Sequence, residues 1–285
     1  MYEILDSDYG KILNLKSNWE ETLMPFIQKE NVSGLCLNSS LGWRGNNVNF
    51  LTKMPNLKYL KIIDPNLSNY SVVEKLPNLE FLSLTNIGTD KLDLSSLKNL
   101  NFLSLDWKGK FSGLGNCKNL KTLYLYHYPE SDLAEISELN NLKTLRVIES
   151  KIVSLDGLEK LKKITNLVLA YLNRLEDIRS LQYLSHLEII EFEACKNVPD
   201  PVPILSCLSK LQSITLVKIK KIKSVMPLIN LQNLNRIILG TTEIEDSKIK
   251  ALTNLPNLRT LLFKDRKSLD ISRNEVEKIL NQNCY

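Results

Sequence analysis

Apolar residues recur along the chain in one fixed order: an apolar position, two mixed positions, a second apolar position, one polar residue and a third apolar position. The first of these positions falls on Leu57, Leu79, Leu100, Leu120, Leu142, Ile164, Leu187, Leu211, Leu234 and Leu258, at spacings of 22, 21, 20, 22, 22, 23, 24, 23 and 24 residues. An irregular earlier copy begins at Val32 and carries Leu35 and Leu37, which makes about eleven copies. In Leu142-Lys-Thr-Leu145-Arg-Val147 the last positions alternate apolar and polar, which predicts a short strand with one inward face. After it, Ile152, Leu155, Leu158 and Leu161 recur every three to five residues, which suits a turn and a short helical or 3-10 return.

One such unit cannot bury its own leucines. Stacked copies can, each touching only its neighbours, with the strands forming a parallel sheet on the concave side and the returns on the convex side. The ends of such a stack need covering. Ser17-Asn-Trp-Glu20 and Ser272-Arg-Asn-Glu275 both have capping-box spacing. The first predicts a helix to about Lys29, bent at Pro25, with Trp19 and Phe26 facing the first repeat. The second predicts a helix carrying Val276, Ile279 and Leu280. The organisation expected is one domain over residues 1–285: a helical cap over 1–31, repeats over 32–266 and a helical cap over 267–285.

Over residues 32–266 the pattern resembles the leucine-rich-repeat family, and its 22-residue unit is most similar to the internalin-like bacterial class. That resemblance implies an α/β solenoid, a horseshoe with a parallel sheet on its concave face. It also implies Asn eight residues after the first leucine, satisfying backbone groups of the turn. Here that position holds Pro65, Ile87, Lys108, Tyr128, Ser150, Leu172, Cys195, Ile219, Thr242 and Arg266. The turn amides must therefore find other partners, such as water, backbone or an occasional hydroxyl. Asn recurs instead just ahead of the first leucine (Asn56, Asn78, Asn99, Asn119, Asn141, Asn233, Asn257), where it is expected to shape the turn into the strand.

Composition narrows the function more than it names it. The chain has 285 residues, 43% of them hydrophobic, and a net charge of +5, too mild to point to nucleic acid. The N-terminus lacks the basic and apolar regions of a secretory signal, and no window of about 20 apolar residues predicts a membrane span. Cys36, Cys117, Cys195, Cys207 and Cys284 are odd in number and scattered, which fits free thiols in a reducing cytoplasm. Phosphate-binding, zinc-binding and GxSxG spacings are lacking, and the two histidines, His127 and His186, fall on a strand end and a turn. Cys36 faces outward with no histidine nearby in repeat order, while Cys117 and Cys195 occupy core positions. We therefore expect no catalysis, no cofactor and no metal. The run Lys218-Ile-Lys220-Lys221-Ile-Lys223 reads as a solvated turn with acids interleaved around it.

The third, fifth, seventh and eighth positions of each unit point outward from the strands. There the early and middle repeats carry Tyr59, Phe81, Phe102, Trp107, Tyr124, Tyr126 and Tyr171, with Asp64, Asp106, Arg146, Glu149, Glu191 and Glu193 as charges. Leucines already fill the core, and clustered exposed aromatics mark interfaces. Phe81 and Phe102 have a second reading as cross-strand packing neighbours. The partner-binding face is thus expected to comprise Tyr59, Phe81, Phe102, Trp107, Tyr124, Tyr126, Arg146, Glu149, Tyr171, Glu191 and Glu193, on a chain that is monomeric when unbound. Asn18-Trp19-Glu-Glu, Leu41-Gly-Trp43 and Thr241-Thr-Glu-Ile-Glu-Asp246, with Lys/Asn/Ile-rich usage, are similar to stand-alone repeat immunity proteins of bacterial toxin systems. That resemblance implies a cytoplasmic protein whose concave face blocks a toxin domain. The alternatives are an adaptor for an endogenous enzyme, a binder of nucleic acid or an anionic surface through the lysines from Lys218 onward, and a surface adhesin that has lost its leader.

Overall fold

The computed structural model describes residues 1–282, and the chain divides into two compact units, Met1–His127 and the residues from Tyr128 onward. The repeat is present in both units. Cys284 lies outside the described residues.

The first unit contains β1 (Tyr2–Ser7), β2 (Gly10–Leu15), β3 (Val32–Asn38), β4 (Tyr59–Ile63), β5 (Phe81–Thr85), β6 (Lys91–Asp93), β7 (Phe102–Asp106), β8 (Lys110–Ser112) and β9 (Thr122–Tyr126). β1 and β2 form an antiparallel hairpin, and β2, β3, β4, β5, β7 and β9 then pair in parallel, in that order. The short β6 and β8 pair with each other. The second unit contains β10 (Thr144–Ile148), β11 (Asn166–Ala170), β12 (Ile189–Glu193), β13 (Ser213–Val217), β14 (Lys221–Ile222), β15 (Arg236–Gly240), β16 (Glu243–Ile244) and β17 (Thr260–Phe263). Its principal strands β10, β11, β12, β13, β15 and β17 are parallel neighbours in sequence order. Most returns in both units are 3-10 turns such as Ser71–Lys75 and Arg179–Tyr183, and the one between β12 and β13 is a short helix, α2 (Val202–Leu205).

The predicted core is the observed one. Every first-position Leu or Ile of the ten regular repeats is buried, as are the inward pairs Leu60/Ile62, Leu103/Leu105, Leu167/Leu169 and Ile214/Leu216. Each fully buried aliphatic side chain contributes about 1.5–3 kcal/mol, so the stack of repeats supplies the stability no single repeat has. Just after the strand, the eighth position adopts left-handed backbone in six repeats, at Asn86, His127, Glu149, Tyr171, Ala194 and Lys218, with φ between 47° and 56°. That conformation costs a non-glycine residue roughly 1–2 kcal/mol. It is held by the strand ladder: the N–H of Glu149, Tyr171 and Ala194 donates to the carbonyl of Ala170, Glu193 and Val217, each one repeat on.

Two hydrogen-bonding devices replace the missing internal asparagines. At the ninth position, Ser150 Oγ accepts from Tyr128 N (3.0 Å) and donates to Ile148 O (2.9 Å). Thr242 Oγ1 donates to Leu216 O at 2.8 Å, and the buried Cys195 thiol sits 3.4 Å from Leu169 O. Ahead of the strands, the recurrent Asn forms a ladder of its own. Asn78, Asn99, Asn119, Asn233 and Asn257 each donate through Nδ2, at 2.9–3.0 Å, to a carbonyl one repeat back: Pro55, Pro77, Lys98, Ser209 and Gln232.

The caps differ at the two ends. At the C-terminal end Ser272 and Glu275 close the expected box, with Ser272 Oγ donating to Glu275 Oε2 (2.6 Å), and α3 (Arg273–Gln282) buries Val276 and Leu280. At the N-terminal end the helix expected from Ser17 is confined to α1 (Leu23–Lys29), and Ser17 Oγ accepts from the Met1 amine instead. The reason is Pro25: it has no N–H to give to the Glu21 carbonyl, so it is tolerated only in a helix's first turn. Residues 1–15, expected within a helical cap, are the β1–β2 hairpin, which buries Leu13 and Leu15. Its signal was the Asp8-Tyr9-Gly10 turn, where Gly10 takes φ 92°.

If the asparagine ladder supports the stack, Asn99→Ala should lower unfolding free energy by about 0.5–1.5 kcal/mol, the net worth of one hydrogen bond, read from the urea midpoint. An unchanged midpoint would mean the Pro77 carbonyl is served equally well by water.

Candidate functional site

Strands in register lie about 4.8 Å apart, so like positions on successive repeats must meet side by side. In the first unit Tyr59, Phe81 and Phe102 share one register row. Their rings stack, Tyr59 on Phe81 at 4.1 Å and 15°, Phe81 on Phe102 at 4.2 Å and 7°. Tyr124, at the fifth position of the next repeat, closes edge-on against Phe102 at 5.2 Å. The cross-strand packing reading of the two phenylalanines is what the structure contains, and the four rings form one continuous ladder. Each remains half-buried, with part of the ring open. Ser83 and Ser104, on the same outward face, are only 5% and 4% exposed, so the face is already partly roofed.

Tyr9, which sequence reasoning missed, extends this ladder. From the hairpin turn its ring packs 5.7 Å from Tyr59 and 5.6 Å from Phe81, and its hydroxyl donates to Asn101 Oδ1 at 3.0 Å. Only the hairpin brings Tyr9 there, and the hairpin was not anticipated. Burial pushes the Tyr9 phenol up, with Glu80 and Asp8 adding to it. Burial likewise pushes Tyr59 up to about 12, helped by Cys36 and Tyr9.

Other expected residues are placed differently. Tyr126 is half-buried and opposite Asp106 in register. Asp106 is not a surface charge: it is 6% exposed and accepts from Asn86 N (3.2 Å), with His127 Nδ1 at 2.7 Å. Asp64 is buried too, accepting from Asn66 N at 3.0 Å. Both carboxylates are held inward because turn N–H groups need acceptors. Trp107 is half-buried and edge-on to Phe111 of β8 at 5.2 Å, which ties it to the return of its own repeat.

The second unit offers a different set. Arg146 and Glu191 share one register row through Val168. Tyr171 donates through its hydroxyl to Glu193 Oε1 (3.1 Å) and through its N–H to Glu193 O (2.7 Å). Glu193 thereby raises the Tyr171 phenol. Tyr171, Glu149 and Glu193 are all exposed, an acidic and aromatic group at the strand ends.

In the lysine run one side chain is paired, and the outward cysteine is shielded. Lys221 is paired with Glu245, while the Lys218, Lys220 and Lys223 side chains are exposed. Burial pushes the Cys36 thiol up, away from the thiolate a nucleophile needs. Among the described residues no group of three His, Cys, Asp or Glu side chains could hold a metal ion, and no helix is long and apolar enough to cross a membrane.

The model of the leucine-rich repeat region family matches residues 21–281. No curated protein matches the chain. Among solved structures, a Listeria monocytogenes internalin, inlF, is 25% identical over 81% of this chain and 67% of its own, with a TM-score of 0.64. Internalin C2 of the same organism is 29% identical over 66% and 82%, with a TM-score of 0.55. The plant peptide hormone receptor RGFR1, solved in complex with RGF2, is 18% identical over 92% and 44%, with a TM-score of 0.59, a likeness of fold alone.

The ladder sets an alkaline limit on stability. An unfolded tyrosine ionises near 10, whereas folded Tyr59 does so near 12. The neutral form is favoured by folding, so its contribution is intact below pH 10 and is lost as pH rises towards 12. Tyrosinate absorbance should show a late-titrating fraction in the native chain, reduced in Tyr59→Phe. An unaltered titration in that variant would contradict the assignment.

Proposed function

We propose that this chain, which belongs to the leucine-rich-repeat family, is a binding module for a second protein and that the ladder Tyr59–Phe81–Phe102–Tyr124 is the anchor of its first unit. The observation that carries the proposal is the ladder itself. Four half-open aromatic rings, fixed by one another, offer apolar area whose side-chain freedom is already lost before a partner arrives. Aromatic anchors of this kind dominate binding energy at protein interfaces. Tyr126 adds a phenol beside them, and Trp107 flanks them from the turn side. The second unit contributes its own contact set, Arg146, Glu149, Tyr171, Glu191 and Glu193, whose mixed charge serves partner choice more than raw affinity.

The finer reading is of a cytoplasmic immunity protein that covers the active site of a toxin domain. It is supported by the resemblance to stand-alone repeat immunity proteins and by Cys36, Cys117, Cys195 and Cys207, all free thiols of the kind a reducing compartment keeps. An adaptor for an endogenous enzyme would use the same face. A nucleic-acid partner is disfavoured, because Lys221 is spent on Glu245 and acids interleave with the remaining lysines. No catalytic role is proposed.

Tyr124→Ala with Tyr126→Ala should leave the circular dichroism spectrum unchanged and weaken the partner captured from the source lysate by roughly 2 kcal/mol or more for each anchor removed. Full affinity in the double variant would refute the site. Binding that collapses steeply between low and moderate salt would instead favour a nucleic acid.

A further inference from the structure

The strand face of the first unit carries one charge that nothing around it answers. Along β3, β4, β5, β7 and β9 the outward positions alternate with buried aliphatic residues, and the charged ones among them are Lys61 and Asp106. Asp106 is accounted for, because its buried carboxylate takes Asn86 N and faces His127. Lys61 is not. Its ammonium has neither an ion pair nor a hydrogen bond among the described residues. Lys11, Lys53 and Lys58 of the same unit pair with Glu30, Glu21 and Glu80.

Register explains the isolation. Lys61 stands between Cys36 of β3 and Ser83 of β5, with Tyr59 and Ile63 on either side along its own strand. The other outward residues of β3 and β5 are neutral as well, so no acid of the sheet stands beside it. Lys61 is half-buried and therefore still open to a partner, whereas Ser83 and Ser104, which follow it in the same row, are covered.

Its position gives this charge a use. Tyr59 lies two residues back along the strand, about 6.6 Å away, and begins the stacked row that runs through Phe81 and Phe102. A protein seated on those rings covers Lys61 too. An apolar or amide side chain placed there would strip water from the ammonium without replacing the lost charge interaction, and a base would repel it. A phosphate would bring close to two negative charges to a single lysine. One carboxylate matches it.

We propose that the partner carries an aspartate or glutamate side chain that pairs with Lys61, next to apolar side chains that lie on the aromatic ladder. The inference rests on the function proposed above and narrows it to a partner whose contact surface for the first unit is apolar and acidic.

The test selects short linear peptides from a random phage-displayed library on the intact chain and keeps those that Tyr124→Ala no longer binds. Each is synthesised with its acid and with the corresponding amide, and both forms are titrated against the wild-type chain and against Lys61→Met, which keeps the apolar stem without the charge. On the wild type the acid form should bind at least about tenfold more tightly than the amide, and on Lys61→Met the two should bind alike. The same library panned on Lys61→Glu should yield peptides bearing Lys or Arg instead. Ladder-dependent peptides without an acid, or an acid preference that persists in Lys61→Met, would overturn the pairing while leaving the ladder as the binding face. If no selected peptide depends on Tyr124, the ladder itself fails as a binding face, and the pairing with it.

Discussion

The parallel, in-register pairing of one repeat on the next is the constraint from which the rest follows. A single repeat has too few neighbours to remove its leucines from water. Two repeats must align position for position, because a strand slipped by one residue would turn Leu60 and Ile62 outward. Once register is fixed, every repeated residue type becomes a row of that type. Leucines become a core, the asparagine before each first leucine becomes a hydrogen-bonded ladder, and third-position aromatics become a stack. The same constraint imposes the left-handed residue after the strand. The chain must leave the sheet at the same point in each repeat, while its N–H still completes the ladder at the next strand.

How legible these features were depended on whether they repeat. The core positions, the strands and the 3-10 returns were written about ten times over, and chance errors in one copy did not matter. The C-terminal cap was legible because Ser272 and Glu275 are a complete local device. The hairpin was not legible in the same way. It occurs once, its strands are short, and the capping pattern at Ser17 competes with it by favouring a helix start that Pro25 rules out. Asp64 and Asp106 show a third kind of failure. Alternation places them outward, but turn N–H groups beside them supply hydrogen bonds that a solvent-facing carboxylate would forgo. Periodicity describes where a side chain starts, not where its polar end finds a partner.

The missing asparagine at the ninth position shows how a fold survives the loss of a family device. In three repeats other side chains serve the backbone there: the Ser150 hydroxyl takes Tyr128 N and gives to Ile148 O, and the Thr242 hydroxyl and the Cys195 thiol face the carbonyls of Leu216 and Leu169. In four further repeats the position holds Ile87, Tyr128, Leu172 or Ile219, with Tyr128 and Leu172 wholly buried. Packing has thus taken over part of what hydrogen bonding does in a regular array. The second asparagine ladder, outside the core, links each repeat to the one before it. The two devices divide the labour: one fills the turn, the other fastens the entry into the strand.

The aromatic ladder bears on whether exposed rings are structural or functional. For Phe81 and Phe102 the structure shows the packing role, and the function proposed above rests on the part of each ring left open. Stacking removes one part of each ring from water and leaves another open, so the packing that explains the residues also creates the surface a partner could use. Tyr9 sharpens this. A ring brought in from the hairpin packs on Tyr59 and Phe81, its hydroxyl tied to Asn101, while Phe102 and Tyr124 carry the ladder on. The hairpin therefore does more than close the stack. It also lays a fifth ring against Tyr59 and Phe81, so in the proposed function less of those two rings is open to a partner.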